Sequence, residues 1–326
     1  MSIKQMIARI FLFHFILLLL LVLLSFVFMP KNNTEEAGMY NVKANGILGA
    51  PENSIDVLVI GDSEAYANIS PLDIYDEYGI TMYITGTPAQ LINTSYDFLK
   101  KALKTQKPKI VILEAYNIFR DVSLGRVGKN FAQGILPIFL YHNRWKSLTF
   151  RDFNFEVDYT WTDELKGYNF SKKLAPSKND DYMTKNKKNT KISSINMFYL
   201  EKIRKLCEEE NISFMLLNTP NYKGWNYKRH QVISDYASKY QIDYLDMNVI
   251  NDEIKIDWLT DTRDKGDHLN YNGALKVSKY LGNYLTSKME FQNHKGETKY
   301  ASWEKDLQKF KEKVQLRKQL HSYDHD

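Results

Sequence analysis

The run Val57-Leu58-Val59-Ile60 is continuously apolar and stops at Gly61-Asp62-Ser63. Three of its four residues are β-branched, and a short run of this kind before a glycine is typical of a buried strand. Such a strand would place Ser63 at the carboxyl edge of a sheet, which is where ligands bind in open α/β sheets. Ser63 is therefore a candidate nucleophile, provided that the chain supplies a base elsewhere.

A candidate base lies far along the chain, in the segment Asp264-Lys265-Gly266-Asp267-His268-Leu269-Asn270. His268 could take a proton from a serine hydroxyl, and a carboxylate would then be needed to orient the imidazole ring. Asp264 lies four residues before the histidine and has room to fold back to the ring. Asp267 is adjacent to the histidine and remains the alternative.

The rest of the chain alternates between short apolar runs and helical patterns. The runs predict four further strands, at residues 81–85, 110–113, 212–217 and 242–246. The helical patterns lie at residues 89–105, 193–210, 227–240 and 272–289. This alternation predicts a three-layer α/β/α fold with a mostly parallel sheet. Asn270 is expected to cap the last of these helices.

Residues 10–29 carry no formal charge and are nearly all apolar. About 20 such residues cross the hydrocarbon core of a bilayer as a helix. A cleaved signal peptide has a shorter apolar region and ends at a small-residue site, whereas this run ends in four bulky residues at 26–29. Lys4 and Arg9 precede the run, and basic flanks stay in the cytoplasm. We therefore expect a single-pass cell-membrane protein with a cytoplasmic N-terminus and an extracellular main domain.

These patterns predict five segments along the chain. They are a cytoplasmic stub at 1–9, a transmembrane anchor at 10–29, a linker at 30–54, an α/β domain at 55–290 and a charged C-terminal tail at 291–326. The domain contains an insertion at about 120–192, which is first aromatic-rich and then polar. The insertion is interpreted as a lid or docking surface, or equally as a packed, irregular insert.

Composition excludes some classes of function. A formal charge of +5 over 326 residues is too small to indicate nucleic-acid binding, and no basic-aromatic module is present. The single cysteine, Cys207, excludes a disulfide within the chain and is expected to be a buried small hydrophobe. His and Cys do not occur at metal-ligand spacing, so we predict no metal and no cofactor.

The layout from Ile55 to Met289 resembles the SGNH (GDSL-like) hydrolases and acyltransferases. Gly61-Asp62-Ser63 is similar to the first block of that family, and Asp267-His268-Leu269-Asn270 is similar to the last. Gly86, after the second predicted strand, stands where the oxyanion-hole glycine of the family would. The resemblance implies that Ser63 is the nucleophile and His268 the base.

Two positions depart from the family pattern. Much of the family has its acid three residues before the histidine, where this chain has Lys265, so Asp264 is favoured and Asp267 is kept as the alternative. The third block of the family carries an oxyanion asparagine after a glycine. This chain has Glu114-Ala115-Tyr116-Asn117, so Asn117 is the candidate donor and the glycine is missing.

The backbone N–H groups of Ser63 and Gly86 are the other expected oxyanion donors. Glu64, the residue after the serine, is expected to be solvated.

The resemblance is greatest to the membrane-anchored branch found at Gram-positive cell surfaces. That branch includes proteins of teichoic-acid D-alanylation and polysaccharide O-acetylation, and it is often paired with a multi-span membrane O-acyltransferase. The resemblance implies a serine O-acyltransferase or esterase acting on cell-envelope glycopolymers, with the membrane, such an acyltransferase, and cell-wall polysaccharide or teichoic acid as partners. A stand-alone surface esterase or lipase and a catalytically silent accessory subunit are the alternatives.

Overall fold

The computed structural model describes residues 1–178, 181–183 and 190–323. Part of the predicted insertion, at 179–180 and 184–189, and the end of the predicted tail, at 324–326, lie outside the described residues. The chain divides into two compact units. The smaller unit contains Met1–Val42 and Val122–Trp161, and the larger contains Lys43–Asp121 and Thr162–Asp326. Residues of the predicted linker and of the predicted insertion are thus found in both units.

The larger unit is built on one sheet of five parallel strands, in the order β2-β1-β3-β4-β5. The strands are β1 (Val57–Gly61), β2 (Met82–Gly86), β3 (Ile110–Glu114), β4 (Ser213–Asn218) and β5 (Asp243–Asp246). Each coincides with a strand predicted from the sequence. With helices on both faces of the sheet, the predicted three-layer α/β/α fold is confirmed.

Twelve helices occur in the described residues. They are α1 (Ile3–Phe28), α2 (Val42–Asn45), α3 (Ser63–Asn68), α4 (Pro71–Tyr78), α5 (Ile92–Ala102), α6 (Leu124–Ile135), α7 (Ile138–Tyr141), α8 (Ser194–Glu209), α9 (Tyr227–Tyr240), α10 (Asn251–Ile254), α11 (Tyr271–Lys288) and α12 (Ala301–Tyr323). Short 3₁₀ turns lie at Gly46–Gly49, Ala115–Phe119, His142–Lys146, Phe150–Phe153 and Thr298–Tyr300.

Alternate residues of the strands divide the core between the two faces of the sheet. Leu58 of β1 lies in a cluster with Leu99 of α5 and Leu200 of α8. Its neighbour Val59 lies in a second cluster with Val277 of α11. Because both faces are covered, the central strands β1 and β3 are buried throughout and apolar up to their last residue, as expected of a buried parallel sheet.

Capping residues set the ends of the helices that frame the sheet. Asn270 caps α11, since its side-chain oxygen accepts hydrogen bonds from the N–H groups of Asn272 (3.0 Å) and Gly273 (3.3 Å), which confirms the predicted cap. Pro71 occupies the start of α4, where a missing N–H costs nothing. The start of α11 is therefore within one residue of the predicted start, and α4 begins at a proline that favours the first turn of a helix.

The smaller unit contains α1, whose best 18-residue window has a mean hydropathy of 3.1 and is only 6% buried. A helix of this length and hydropathy suits a membrane span and equally a signal sequence. Its last turn is bonded to residues after α7. Arg144 donates to the carbonyl of Phe28 (2.6 Å) and is paired with Asp152 (2.5 Å), both side chains being buried. The end of α1 is thus an integral part of the unit.

The C-terminal residues of the larger unit form α12, and three of its apolar side chains are buried in the first core cluster. These are Trp303, Leu307 and Phe310. The ring of Trp303 lies 5.2 Å from the ring of Tyr75 on α4. The segment predicted as a charged tail therefore packs one apolar side of a helix onto the α/β domain, and Glu304 and Asp306 beside it bond to Tyr75 and to the buried Lys166.

We expect Trp303→Ala to lower the free energy of unfolding by roughly 3–5 kcal/mol, because it removes a large buried ring and leaves a cavity beside Tyr75. Denaturant unfolding of the full chain in detergent measures the change. Lys305→Ala, an exposed position on the same helix, is the control and should change the value by less than about 0.5 kcal/mol. Equal stability of the two variants would contradict the packing of α12.

Candidate functional site

The order of the strands defines the place where a site is expected. The chain passes from β1 to β2 on one side and then to β3 on the other, so the order reverses between β1 and β3. In sheets of this order, ligands bind beyond the carboxyl ends of the strands at that point. Ser63 begins α3 directly beyond β1. As the first residue of a helix, its N–H has no intrahelical acceptor and can face a ligand.

Asp62 holds the start of α3 against the segment that follows β3. It is fully buried, and its carboxylate accepts a hydrogen bond from Glu64 N–H (3.1 Å) as the helix cap. Its other oxygen lies 2.5 Å from the guanidinium of Arg120. Burial raises the pKa of Asp62, and the charge of Arg120 opposes that rise. The aspartate thereby determines where Ser63 is presented.

Gly86 lies beside the backbone that presents the serine. It is paired with Gly61 across β1 and β2. A Cβ atom at position 86 would lie 2.9 Å from the Asp62 carbonyl oxygen and 3.2 Å from the Tyr66 ring, so only glycine fits without displacing its neighbours. The structure thus brings Gly86 to the position from which the predicted oxyanion contact could be made, and that role stays a prediction.

A closed loop before α11 carries His268. Thr262 and Leu269 pair as an isolated antiparallel bridge. The Thr262 hydroxyl accepts from Gly266 N–H (2.7 Å) and donates to the His268 carbonyl (2.9 Å). Leu269 N–H donates to the side-chain oxygen of Asn68 on α3 (2.9 Å). These bonds hold the histidine next to the helix that Ser63 begins.

The imidazole of His268 is oriented by Asp264. The distance from Nδ1 to Asp264 Oδ2 is 2.6 Å, and the backbone N–H of His268 donates to Asp264 Oδ1 (2.7 Å). Asp267 Oδ2 is 3.8 Å from the same nitrogen, beyond hydrogen-bond distance. Burial alone would raise the pKa of Asp264, but the hydrogen bonds from the ring and backbone of His268 lower it overall. The geometry therefore favours Asp264 over Asp267 as the orienting carboxylate.

The other ring nitrogen of His268, Nε2, is buried and makes no hydrogen bond within the described residues. With Nδ1 donating to Asp264, Nε2 carries the lone pair in the neutral ring. The Glu64 carboxylate oxygen Oε1 lies 3.6 Å from it. A buried basic nitrogen without a partner is suited to receive a proton from a group that enters or rotates into the site.

Ser63 is only 8% exposed and is the immediate neighbour of Glu64. No hydrogen bond joins its hydroxyl to His268 in the part of the chain that the structure describes. The structure therefore places the His268 ring beside Glu64, in the turn of α3 that Ser63 begins, but without a hydrogen bond to the serine. Catalytic hydrogen bonds are often long before a substrate is bound.

Glu64 is buried, with 1% of its surface exposed, and the prediction that it is solvated was wrong. The reason is its place on the inward side of α3. Its two carboxylate oxygens accept hydrogen bonds from the side-chain amides of Asn68 (2.9 Å) and Asn221 (2.8 Å). These two donors offset part of the cost of burying the carboxylate.

Asp62, Glu64 and a third carboxyl group, that of Glu114 at the end of β3, are all buried within this edge of the sheet. Burial raises the pKa values of Glu64 and Glu114 well above their usual range, and the nearby charge of Asp62 raises both further. Arg120 is the cation that lowers the pKa values of Asp62 and Glu114. Three acids and one guanidinium therefore form a cluster in which burial favours the protonated form of the carboxyl groups.

Asn117 lies in the 3₁₀ turn after β3 and has no exposed surface. Its amide donates a hydrogen bond to the hydroxyl of Ser95 on α5 (2.9 Å). A substrate carbonyl could use this amide group only if the fold opened around it. Of the predicted oxyanion donors, the structure thus places Asn117 inside the core rather than at an open site.

Asp264, Asp267 and His268 each present one potential ligand atom, and these atoms lie within 4.8 Å of one another. In this cluster Asp264 is already engaged by the ring and the backbone N–H of His268. We therefore interpret the grouping as a hydrogen-bonded pair beside an acidic neighbour. The absence of a metal or cofactor from the site stays a prediction.

Sequence reasoning missed the buried residues around the serine, namely Glu64, Asn68, Glu114, Arg120 and Asn221. One signal was present, because Glu64 and Asn68 are four residues apart and so share one side of a helix. Glu114 and Arg120 lie at and just beyond the end of β3, and Asn221 lies about a hundred residues later, after β4. Only the parallel pairing of those strands brings them together.

No family model and no curated protein matches this chain. Solved structures similar to it include a protein described as an acylhydrolase from Bacteroides fragilis, with 10% identity, covering 76% of this chain and 96% of that one at a TM-score of 0.41. A GDSL-like lipase from Bacteroides thetaiotaomicron has 9% identity, 72% and 88% coverage and a TM-score of 0.37. An acetyl xylan esterase has 12% identity, 72% and 100% coverage and a TM-score of 0.37. Likeness at this level carries no argument about activity.

We expect Asp264→Asn to lower kcat/KM toward a chromogenic acetyl ester by up to about 10⁴-fold, because the ring loses the acceptor that selects its tautomer. Asp267→Asn is the matched control and should cost much less, since its carboxylate lies beyond hydrogen-bond distance of Nδ1. Steady-state kinetics of the full-length variants measure both. The reverse order of effects would transfer the orienting role to Asp267.

We expect the stability of Glu64→Gln relative to the native chain to increase as pH rises from about 4 to about 7. Burial raises the pKa of Glu64 above its usual 4.5, so the folded state holds a proton that the unfolded state releases. The native carboxyl therefore stabilises the fold fully below that pH and progressively less above it. Denaturant unfolding at several pH values measures the trend. Glu209→Gln, at an exposed position, is the control, and an identical trend in the two variants would contradict the burial of Glu64.

Proposed function

We propose that the chain is an SGNH-type serine O-acyltransferase or esterase that acts on acyl esters of cell-envelope glycopolymers through a covalent acyl-serine at Ser63. The single observation that carries the proposal is the state of His268. Its Nδ1 is held by Asp264, and its Nε2 is buried and unpartnered beside the first turn of α3. The combination of an oriented imidazole and a serine at a sheet edge supports nucleophilic catalysis.

In the proposed first step, the Ser63 hydroxyl attacks the acyl carbon of the donor ester and its proton passes to His268 Nε2. The N–H groups of Ser63 and Gly86 are the proposed donors to the oxyanion that forms. The bond from the acyl carbon to the donor oxygen then breaks, and His268 returns the proton to the departing alcohol. A second hydroxyl, from an acceptor sugar or from water, attacks the acyl-serine by the same sequence in reverse.

Glu64 has a supporting role in this scheme. Its carboxylate oxygen is 3.6 Å from the nitrogen that becomes protonated, so a negative charge there stabilises the imidazolium. The raised pKa of Glu64, which results from its burial, limits this stabilisation to the pH range in which the group is ionised. The asparagine amides that flank it keep the carboxylate in place.

The envelope location is part of the proposal. The apolar helix α1, with Lys4 and Arg9 at its start, supports a single-pass anchor with the α/β unit outside the cell. The resemblance to the Gram-positive membrane-anchored branch supports cell-wall polysaccharide or teichoic acid as the acceptor. It also supports a multi-span membrane O-acyltransferase as the source of the acyl group.

A catalytically silent accessory subunit is the second candidate, and one observation favours it. In the structure the nearest acidic oxygen to Nε2 is that of Glu64, and no hydrogen bond runs from Ser63 to the ring. If the serine hydroxyl does not rotate to the ring when a donor ester binds, the imidazole does not receive the serine proton. The experiment below separates this candidate from the enzyme.

We expect the full-length protein, incubated in detergent with an activated acetyl ester, to gain the mass of one acetyl group, because Ser63 is acylated. Ser63→Ala should abolish the adduct. His268→Ala should slow its formation by several orders of magnitude, in line with the loss of a triad member. Intact-mass spectrometry over time measures all three.

Equal labelling of the native chain and Ser63→Ala would show that the nucleophile is wrong. Absence of labelling with any donor, together with binding of envelope polymer, would support the accessory subunit. Transfer of the label to sugar hydroxyls would identify a transferase, and release to water alone would identify an esterase.

A further inference from the structure

Large apolar side chains are exposed at unusual density in the smaller unit. Nine of them lie within Val122–Trp161: Leu124, Phe131, Ile135, Phe139, Trp145, Phe150, Phe153, Phe155 and Val157. The described part of the larger unit exposes five, although it is several times longer. Phe150 is 99% exposed. A concentration of this kind marks an interaction surface rather than ordinary surface composition.

This stretch is attached to the C-terminal turn of the apolar helix α1. The N–H of Ile138 donates to the Ser25 hydroxyl (3.2 Å), and the rings of Phe26 and Phe155 lie 5.6 Å apart. The exposed aromatic residues are thus carried at one end of the helix, and their depth in a membrane would follow from its depth.

The length of α1 sets that depth. Its 26 residues extend about 39 Å at 1.5 Å per residue, whereas the hydrocarbon core of a bilayer is about 30 Å thick. The surplus of about 9 Å corresponds to one or two helical turns, which lie at the N-terminal end with Lys4 and Arg9, so the uncharged run from residue 10 onward spans the core. The last turn, which contacts Ile138 and Phe155, therefore lies near the boundary between acyl chains and headgroups, where aromatic side chains are enriched.

Helix α6 has the composition of a helix that lies in this boundary. It exposes Leu124, Phe131 and Ile135, and it carries Arg126 and Lys129 with no acidic residue. Amphipathic helices with basic and bulky apolar residues bind the interfacial plane of membranes. An apolar helix face of this kind would otherwise be left exposed to water.

The charges of the surrounding residues suit an anionic surface. Asp152 is paired with Arg144 (2.5 Å), and Asp158 lies 3.5 Å from Arg151. Arg126, Lys129 and Lys146 have no acidic partner among the described residues, and Glu156 is the remaining acid of the stretch. The net charge is therefore positive, which favours anionic headgroups.

We propose that the interfacial surface, defined by Phe131, Ile135, Trp145, Phe150, Phe153 and Phe155, inserts into the headgroup region of the leaflet in which α1 ends, and prefers anionic lipid. The protein is then held in the membrane by the apolar helix and by the interfacial surface at its end. This second contact limits how far the smaller unit can tilt away from the membrane. The proposal does not depend on any catalytic activity.

The test uses the full-length protein in vesicles of phosphatidylcholine and phosphatidylglycerol. A bimane fluorophore is attached to Phe150→Cys and, as the matched control, to Phe198→Cys, an exposed phenylalanine of the larger unit. The native Cys207 is fully buried, and burial raises its pKa to about 12, so it does not react. Thermal unfolding equal to that of the native chain establishes that both variants fold.

We expect lipids with brominated acyl chains to quench the label at position 150 several-fold more than the label at position 198. Aqueous iodide should show the opposite order. Equal behaviour of the two positions would overturn the proposal. Protection of position 150 only after a multi-span membrane protein is added would overturn it too, in favour of a protein partner. Equal quenching with phosphatidylcholine alone would overturn the preference for anionic lipid.

Discussion

The central position of β1 between β2 and β3 is the constraint on which the candidate site depends. Parallel pairing brings the carboxyl ends of the three strands to one edge, and the reversal of strand order opens that edge. Ser63 follows β1, Gly86 ends β2, and Glu114 ends β3. A shift of one residue in the register of β1 would exchange the faces of its side chains and separate these groups.

The same convergence buries three carboxyl groups close together, and the polar and charged partners in the fold offset only part of the free-energy cost of ionising them. Asp62, Glu64 and Glu114 are all buried, the charges of Asp62 and Glu114 raise the pKa of Glu64, and the charge of Asp62 raises the pKa of Glu114. Arg120 pairs with Asp62, while Asn68 and Asn221 donate to Glu64. An arrangement that keeps buried carboxyl groups close to a histidine is more typical of a site that handles protons than of a site selected for stability alone.

In the smaller unit, a buried ion pair binds the C-terminal end of the apolar helix α1. Arg144 binds the last carbonyl of α1 while it is paired with Asp152, so a charged side chain is buried at the end of an apolar helix. Such burial is costly without both partners. The pair is best explained as a contact that fixes the direction of α1 relative to the rest of the smaller unit.

The sequence by itself predicted the five strands, the helices α5, α8, α9 and α11 that flank them, the α/β/α class, and Ser63, Gly86, Asp264 and His268 as candidate residues. Those features depend on local patterns: apolar runs, caps, and spacing along one segment. Only the tertiary structure showed that Asp264 rather than Asp267 bonds to the His268 ring and that Glu64 and Asn117 are buried. It also showed that the charged C-terminal segment packs through Trp303. These outcomes depend on which distant segments become neighbours. That is decided by the pairing of strands, which no local pattern in the sequence predicts.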